Sequence, residues 1–338
     1  MATYREAGVD LAAADDVVQR IGDAVTATWG DSVVGGFGGF AAGLRLPTGY
    51  RSPVLMMATD GVGTKAELAR MAGMLHGLGH DLVAMCIDDL AAVGARPIAM
   101  TDYIAVGSLD VDTVATLVGS IAAACAQAGV ALLGGETAEH PGVMAADRFD
   151  LAGAALGIVE EGEQIDGSSI TPGDVVVGIH SPNLRSNGFS LVRRAVLDRL
   201  DIDDPMPGCG GTVAEALLAP SVVYAPSVVE LLGVVRPRGM AHITGGGLPG
   251  NLARILPAEC DAAIDTGSWA PPPVFAAVAA LGGIDRAEMF AVFNMGIGFA
   301  VVTAPSDASA AIASLERSGH GASVIGSIVP GSGAVRLV

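Results

Sequence analysis

The chain is almost without lysine. Lys65 stands alone among 338 residues, and every other basic side chain is arginine. Positive charge is scarce altogether: 18 basic residues face 36 acidic ones, giving a net charge of −18. Such a surface repels nucleic acid and anionic membranes, and neither is expected as a partner. A polyanionic ligand would have to be held locally, by backbone N–H groups, metal ions or a few cations. Long apolar runs are missing too. Half of the chain is hydrophobic, yet its runs are broken by Gly, Asp or Pro well short of a membrane span. No basic segment followed by an apolar stretch opens the chain, so no signal peptide is expected. Cys86, Cys125, Cys209 and Cys260 form no CxxC pair. That excludes a disulfide framework and a zinc site, and fits a cytoplasmic location.

What is present is alternation of short apolar runs with helical patterns. Strands are expected at 53–59, 97–105, 130–133, 150–159, 174–180, 240–243, 292–303 and 322–329. Helices are expected at 64–75, 80–94, 110–128, 186–200, 213–219, 224–233, 248–256, 273–281 and 306–318. The fold class is α/β (α+β). The polar, turn-rich stretch EEGEQIDGSSITPGD (160–174) separates two domains, 1–165 and 170–338. GGFGGFAAG (35–43) is too rich in glycine for a regular element and is expected to be a mobile loop.

Several turns could carry chemistry. TDGVGTK (59–65) joins an apolar run to a helix start. Its glycines let the backbone approach a ligand, Asp60 can ligate Mg²⁺, and Lys65 can reach a phosphate. A capped structural turn would look the same. No Walker A loop exists, because the lysine follows Thr64 rather than a glycine. GGGLPG (245–250) matches the dinucleotide pattern GxGxxG once, with Asp265 downstream, but would leave the N-terminal half unexplained.

In HDLVAMCIDDLAAVGA (80–95), Leu82, Val83, Met85, Cys86, Ile87, Leu90 and Val93 form a broad apolar arc. Asp89 falls inside that arc and Asp88 on the small-residue side, with Ala84 and Ala91. A carboxylate on a packed face needs a partner. Asp89 is therefore the metal-ligand candidate, with an ion pair to Arg96 or another arginine as the alternative. LLGGETAEHPG (132–142) places Glu136 after two glycines at a strand end, with His140 read as a loop histidine. SPNLRSNGFSLVRR (181–194) sets Ser186 or Asn187 at a helix start, which can be a cap or an anion site. TGGGLPGN (244–251) adds a second glycine turn, with His242 just upstream, and the two turns could hold one phosphate. FNMGIGF (293–299) puts glycines inside a strand, as a bulge or close backbone approach would require. Together these features suit metal-assisted handling of a nucleotide triphosphate.

TDGVGTK, DLVAMCIDDLAAVGARP, DYIAVGSLDVD, LLGGETAEHPG, SNGFSLVRR, HITGGGLPGNLARILP and FNMGIGF, in this order, resemble the aminoimidazole ribonucleotide (AIR) synthetase family, the phosphoribosylformylglycinamidine cyclo-ligases. The likeness runs from TYREAGVD (3–10) to FNMGIGF (293–299). It implies an N-terminal domain that forms a β-barrel in a homodimer and a C-terminal α/β domain. It implies ATP-dependent closure of formylglycinamidine ribonucleotide to aminoimidazole ribonucleotide, the fifth step of purine synthesis, with ATP and Mg²⁺ as cofactors.

By the same resemblance, Lys65, Asp60 and Asn187 are catalytic. Gly36, Gly38, Gly61, Gly63, Thr64, Gly134, Gly135 and Glu136 would bind ATP and its phosphates. Arg185, Ser186, Gly188, His242, Gly245, Gly246, Gly247 and Asn251 would bind substrate, and Asp60, Asp89 and Glu136 the Mg²⁺. The chain departs from the family in RSNGFSL, where relatives commonly carry HSNGYSL, so Arg185 takes a histidine position. PSVVY (220–224) replaces PTRIY, and many relatives have Asn-Asp at Asp88–Asp89. Other members of the same ATP-using superfamily, or a catalytically silent homologue, are the alternatives.

Overall fold

The computed structural model describes residues 11–338. The TYREAGVD segment lies outside the described residues. The N-terminal half starts with α1 (Leu11–Thr26), then a two-stranded hairpin of β1 (Val33–Val34) and β2 (Gly43–Leu44). β3 (Pro53–Gly61), α2 (Lys65–Ala72), α3 (Leu78–Ala92), β4 (Arg96–Val106), α4 (Val111–Ala128), β5 (Ala131–Glu139) and β6 (Phe149–Glu160) follow. Four strands form one sheet in the order β3-β6-β4-β5. β4 and β5 are parallel and joined through α4, and the other pairs are antiparallel.

α4 shows how local sequence sets an element. The Asp110 side chain accepts from Thr113 N at its start, and Gly129 in the left-handed region ends it. Val114, Leu117, Val118 and Ile121 form its buried stripe. The helix is long and apolar enough to cross a membrane by length and composition. Here it packs between α1 and α3 as a core helix. At Gly79 a Cβ would lie 2.1 Å from the Ser120 backbone, so glycine permits the α3–α4 approach. The helices cover one face of the sheet. Leu55, Met57 and Tyr103 stand exposed on the sheet's strands.

The C-terminal half holds β7 (Val175–His180), α5 (Phe189–Leu197), α6 (Val213–Leu217), α7 (Ala225–Leu232), β8 (Gly239–His242), α8 (Gly247–Leu252), β9 (Cys260–Ile264), α9 (Pro273–Gly282), α10 (Arg286–Val292), β10 (Ile297–Thr303), α11 (Ala308–Arg317), β11 (Ala322–Pro330) and β12 (Val335–Leu337). Its six strands run β12-β9-β11-β7-β10-β8. The period of two along each strand feeds two cores. Val177, Ile179, Phe299 and Val301 join the large cluster shared with the N-terminal half, while Val176, Ala300 and Val302 face Leu248, Leu252 and Ala262.

The sequence pattern missed α1, α10, β1, β2, β9 and β12. The strand expected over 292–303 begins only at Ile297, because α10 runs to Val292 and Gly296 turns with φ 91°. The expected irregularity in FNMGIGF is present as a register shift between Ile297 and Phe299. Residues 35–42 form the irregular loop of the β1–β2 hairpin.

Candidate functional site

Three turns meet between the two halves. β3 ends on Asp60 and Gly61 and its turn to α2 carries Val62 to Thr64, the turn before α5 carries Ser186 to Gly188, and the β8–α8 turn carries Thr244 to Gly246. Thr64 Oγ1 lies 3.2 Å from Ser190 Oγ. Asn187 Nδ2 lies 3.5 Å from Met85 Sδ on α3. A Cβ on Gly245 would be 3.7 Å from Asn187 Oδ1. The TDGVGTK, SNG and TGGG turns therefore border one cleft, with α3 as its wall.

Acidic groups gather at that wall. Asp89 Oδ1 lies 2.8 Å from His242 Nδ1, and the Asp89 side chain is 45% exposed. Asp60 Oδ1 accepts from Gly61 N at 2.7 Å. Burial raises the Asp60 carboxyl above its usual range, the Asp89 charge adds to this, and the Gly61 N–H and His242 oppose it. His242 Nε2 is buried without a hydrogen-bond partner, 3.8 Å from Asp88 Oδ2. Asp60 and Asp89 thus offer two carboxylates beside open glycine turns, a donor set that suits a hard cation completed by ligand phosphates and water.

Asp88 and Asp89 differ from the helical-arc expectation. Asp88 is fully buried: Arg185 Nη2 donates at 2.6 Å, Tyr224 N at 2.9 Å and Ala225 N at 2.8 Å. The carboxylate satisfies the first N–H groups of α7 from another domain. The small-residue side of α3 faces the C-terminal half rather than water, so a one-sided helix pattern misplaces it. Asp89, placed in the arc, is the half-exposed member of the pair.

Arg185 does not face the cleft. Its guanidinium is wholly buried, also donates to Val222 O (3.0 Å) and Gly298 O (3.3 Å), and stacks 4.9 Å from the Tyr224 ring. Its backbone lies at φ 60°, held by Asn183 Oδ1 accepting from Arg185 N at 2.9 Å. A substrate-binding role is corrected to an interdomain ion pair.

Lys65 is corrected likewise. The TDGVGTK turn ends at Thr64, and the next side chain points into the protein. Lys65 is fully buried, with Nζ 2.8 Å from both Asp81 Oδ1 and Ala219 O and 5.5 Å from the Phe189 ring. Burial lowers its pKa, and Asp81 opposes that shift. Asp81 Oδ1 also accepts from Ser221 N (2.9 Å) and Ser221 Oγ (2.5 Å). The lone ammonium ties α2, α3 and the 219–221 segment together, with no face left for a phosphate.

Asn251, expected at substrate, is buried. Its Nδ2 donates to Gly247 O (2.8 Å), Gly245 O (3.2 Å) and Thr244 O (3.3 Å), bracing the glycine turn from behind. A Cβ at Gly247 would lie 1.9 Å from Phe290 O, and one at Gly188 would lie 2.3 Å from Phe293. Both glycines answer packing. A Cβ on Gly245 or Gly246 would meet its neighbours only at 3.7 Å or more, without a clash, and Ser186 Oγ is buried without a partner.

Glu136 is separated from the other acids. β3 and β5 are opposite edges of the sheet, with β6 and β4 between them. Asp60 and Glu136 are thus about 14 Å apart at the usual strand spacing. They cannot share one ion within the chain, and among the described residues no three acidic, His or Cys side chains form a metal-sized group. Gly36, Gly38, Gly134, Gly135 and Glu136 instead line a second cavity of about 1000 Å³, under α1.

That cavity contains a residue the sequence patterns did not single out. Asp102 lies on the helix-facing side of β4, between Met100 and Ile104, and its Oδ2 is buried without a hydrogen-bond partner. Burial pushes its carboxyl up to about 7, against the single lowering influence of its own backbone N–H. The available signal was an acid at an apolar position of an alternating strand.

The N-terminal domain model of the AIR synthase related proteins matches residues 41–159, and the C-terminal domain model matches 171–338. A phosphoribosylformylglycinamidine cyclo-ligase of Anaeromyxobacter sp. (strain Fw109-5) is 46% identical over 333 residues, 98% of this chain and 97% of the relative. Thiamine-monophosphate kinase from Stenotrophomonas maltophilia K279a superposes with a TM-score of 0.71 at 21% identity, over 94% of this chain and 95% of that one. The hydrogenase maturation protein HypE in complex with ATP gives 0.66 at 20% identity, over 96% and 89%. These two share the fold. With both domain models matched in order and a near-full-length relative at such identity, the chain belongs to the AIR synthase related protein family.

Proposed function

We infer that this chain is a phosphoribosylformylglycinamidine cyclo-ligase, which closes formylglycinamidine ribonucleotide to aminoimidazole ribonucleotide with ATP. The observation that carries this is the 46% identity to a cyclo-ligase along nearly the whole of both chains. In the reaction the formyl oxygen takes the γ-phosphoryl group of ATP. A substrate nitrogen then attacks the activated carbon, the ring closes and phosphate leaves.

The cleft between the halves is proposed as the place of this chemistry. Asp60 and Asp89 fit Mg²⁺, which would neutralise phosphate charge during transfer. Their carboxylates would hold the ion, and His242 would fix Asp89 through its Nδ1. The open N–H groups at Gly63, Gly245 and Gly246, with Ser186 Oγ and Asn187, would hold phosphate oxygens of the ribonucleotide and ATP. Closure of the 35–42 loop would exclude water from the activated intermediate.

A homodimer is proposed as well. Leu55, Met57 and Tyr103 are large exposed side chains on the strands of the four-stranded sheet, and burying them against a second copy suits a joined-sheet barrel. A cytoplasmic location fits a purine-synthesis enzyme. The test is rescue of a purine auxotroph that lacks this step, together with formation of the amine product by the purified protein and ATP. Failure of both would reject the assignment.

A further inference from the structure

Among the described residues, Arg185 and Met295 are the non-glycine residues with positive φ, at 60° and 48°. Such left-handed backbone is unfavourable for a residue with a Cβ and persists only where the surroundings enforce it. An asparagine enforces each of them. Asn183 Oδ1 accepts from Arg185 N at 2.9 Å, and Asn294 Oδ1 accepts from Gly296 N, across Met295, at 2.7 Å. In both, a side-chain oxygen bonds the backbone two residues on.

The two turns are tied to each other. Asn294 Nδ2 donates to Asn183 O at 3.0 Å, Ser181 Oγ donates to the same carbonyl at 2.9 Å, and Ser181 N donates to Gly296 O at 2.8 Å. Ser181, Asn183 and Asn294 are all buried. Asn183 Nδ2 donates to Pro220 O at 2.8 Å. Asn183 thus spends its acceptor on the turn before α5 and its donor on the segment that Lys65 and Asp81 also hold.

The left-handed residue redirects the chain toward α3. Arg185 reaches Asp88, and Asn187, two residues on, reaches Met85 Sδ. The turn therefore bears on α3 at two points one helical turn apart, beside Asp89. Without the Asn183 acceptor, Arg185 N would be a buried donor with no bond, and φ 60° would lose its local support. Ser186 and Asn187 would then shift relative to Asp89 and the TGGG turn.

We propose that Asn183 is a positioning residue for the reaction: by holding Arg185 in the left-handed region it sets Ser186 and Asn187 at the cleft. The proposal rests on the reading above that these two side chains hold phosphate oxygens, and it assigns their placement to a residue that touches neither phosphate nor metal.

The test compares Asn183→Ala with Asn183→Ser. Both lose the donor to Pro220 O, and only serine keeps an oxygen that can accept from Arg185 N. Asn183→Ala is expected to raise the KM for the ribonucleotide or for ATP by about tenfold or more, with kcat within about threefold. The KM that rises identifies the phosphate that the turn holds. Asn183→Ser should keep both KM values within about threefold of wild type. A merely structural asparagine would lower the melting temperature of both variants and leave the KM values of the folded proteins alone. Unchanged KM values in folded Asn183→Ala, or equal impairment of the two variants, would overturn the proposal. Should Asn183→Ala not fold, Asn183→Ser is compared with Asn183→Cys, which has nearly the same shape and the weaker acceptor. A KM about threefold or more higher for the cysteine variant supports the proposal, and equal values overturn it. No cyclisation by the wild type would instead reject the cyclo-ligase reading itself, and the proposal with it.

Discussion

Asp88 on α3 and Arg185 in the turn before α5 form a wholly buried ion pair, Oδ2 to Nη2 at 2.6 Å, that joins the two domains. Neither side chain meets solvent, and the carboxylate also carries the first N–H groups of α7. By the family resemblance these are positions of Asn and His, which makes a neutral pair the natural replacement to test.

Breaking that pair should be costly. Arg185→Ala is expected to destabilise the fold by about 3–5 kcal/mol, because a buried carboxylate loses its counter-charge. Asp88→Asn should strand the guanidinium in the same way. The double variant Asp88→Asn with Arg185→His should lose less than the sum of its single changes, as read by denaturant unfolding in a double-mutant cycle. Additive losses would show that the two side chains do not act as a pair.

Asp88 and Asp89 should separate stability from activity. Asp89→Asn is expected to keep the melting temperature and to raise the Mg²⁺ concentration needed for ATP turnover by about tenfold or more. Asp88→Asn should lower the melting temperature. Should Asp89→Asn turn over ATP with wild-type Mg²⁺ dependence, Asp89 is not a ligand of the ion.

Lys65 should behave as a structural residue. Lys65→Ala removes one member of a buried pair and is expected to cost about 3–5 kcal/mol. Lys65→Arg forces a larger, planar group beside Phe189 and Ala219 and should cost about 1–3 kcal/mol. Thermal unfolding of both variants checks this. A Lys65→Arg protein of wild-type stability that fails to cyclise substrate would return the lysine to the phosphate.

The unliganded protein should lose stability as pH rises past Asp102. This acid has a folded value of about 7 against an ordinary 3.8, so the folded state holds its proton more tightly than the unfolded one. Its contribution is full below about pH 3.8, falls as pH climbs to about 7 and is constant above. The whole fall corresponds to up to about 4 kcal/mol. Asp102→Asn lacks it, and should melt above wild type at pH 8 but not at pH 4. A difference independent of pH would assign the effect to packing.

The exposed sheet face should be the dimer interface. Met57 is 76% exposed on β3, and Met57→Glu is expected to turn a dimer into a monomer by light scattering at micromolar concentration. A dimer that survives the change would place the interface elsewhere.

The sequence by itself determined the local devices. The glycine approach to α2 in TDGVGTK, the irregular 35–42 loop and the helix α4 follow from glycine and period-3.6 patterns, which are properties of a few adjacent residues, whereas Glu136, expected at a strand end, lies inside β5. Short strands such as CDAAI (β9) escaped because they are defined by their neighbours in the sheet rather than by their own alternation. Tertiary structure decided what each charged residue does. A helical wheel assumes one buried face, but α3 is enclosed by the sheet, α4 and the C-terminal domain, so Asp88 is the buried acid and Asp89 the accessible one. Lys65 and Arg185 sit in motifs that look like phosphate sites, yet each is drawn inward by a carboxylate from a distant segment, Asp81 and Asp88. Strand order alone parts Asp60 from Glu136 and sets Asp102 between them. Burial and pairing depend on contacts between residues 16 to 154 positions apart in the chain, and no local pattern encodes them.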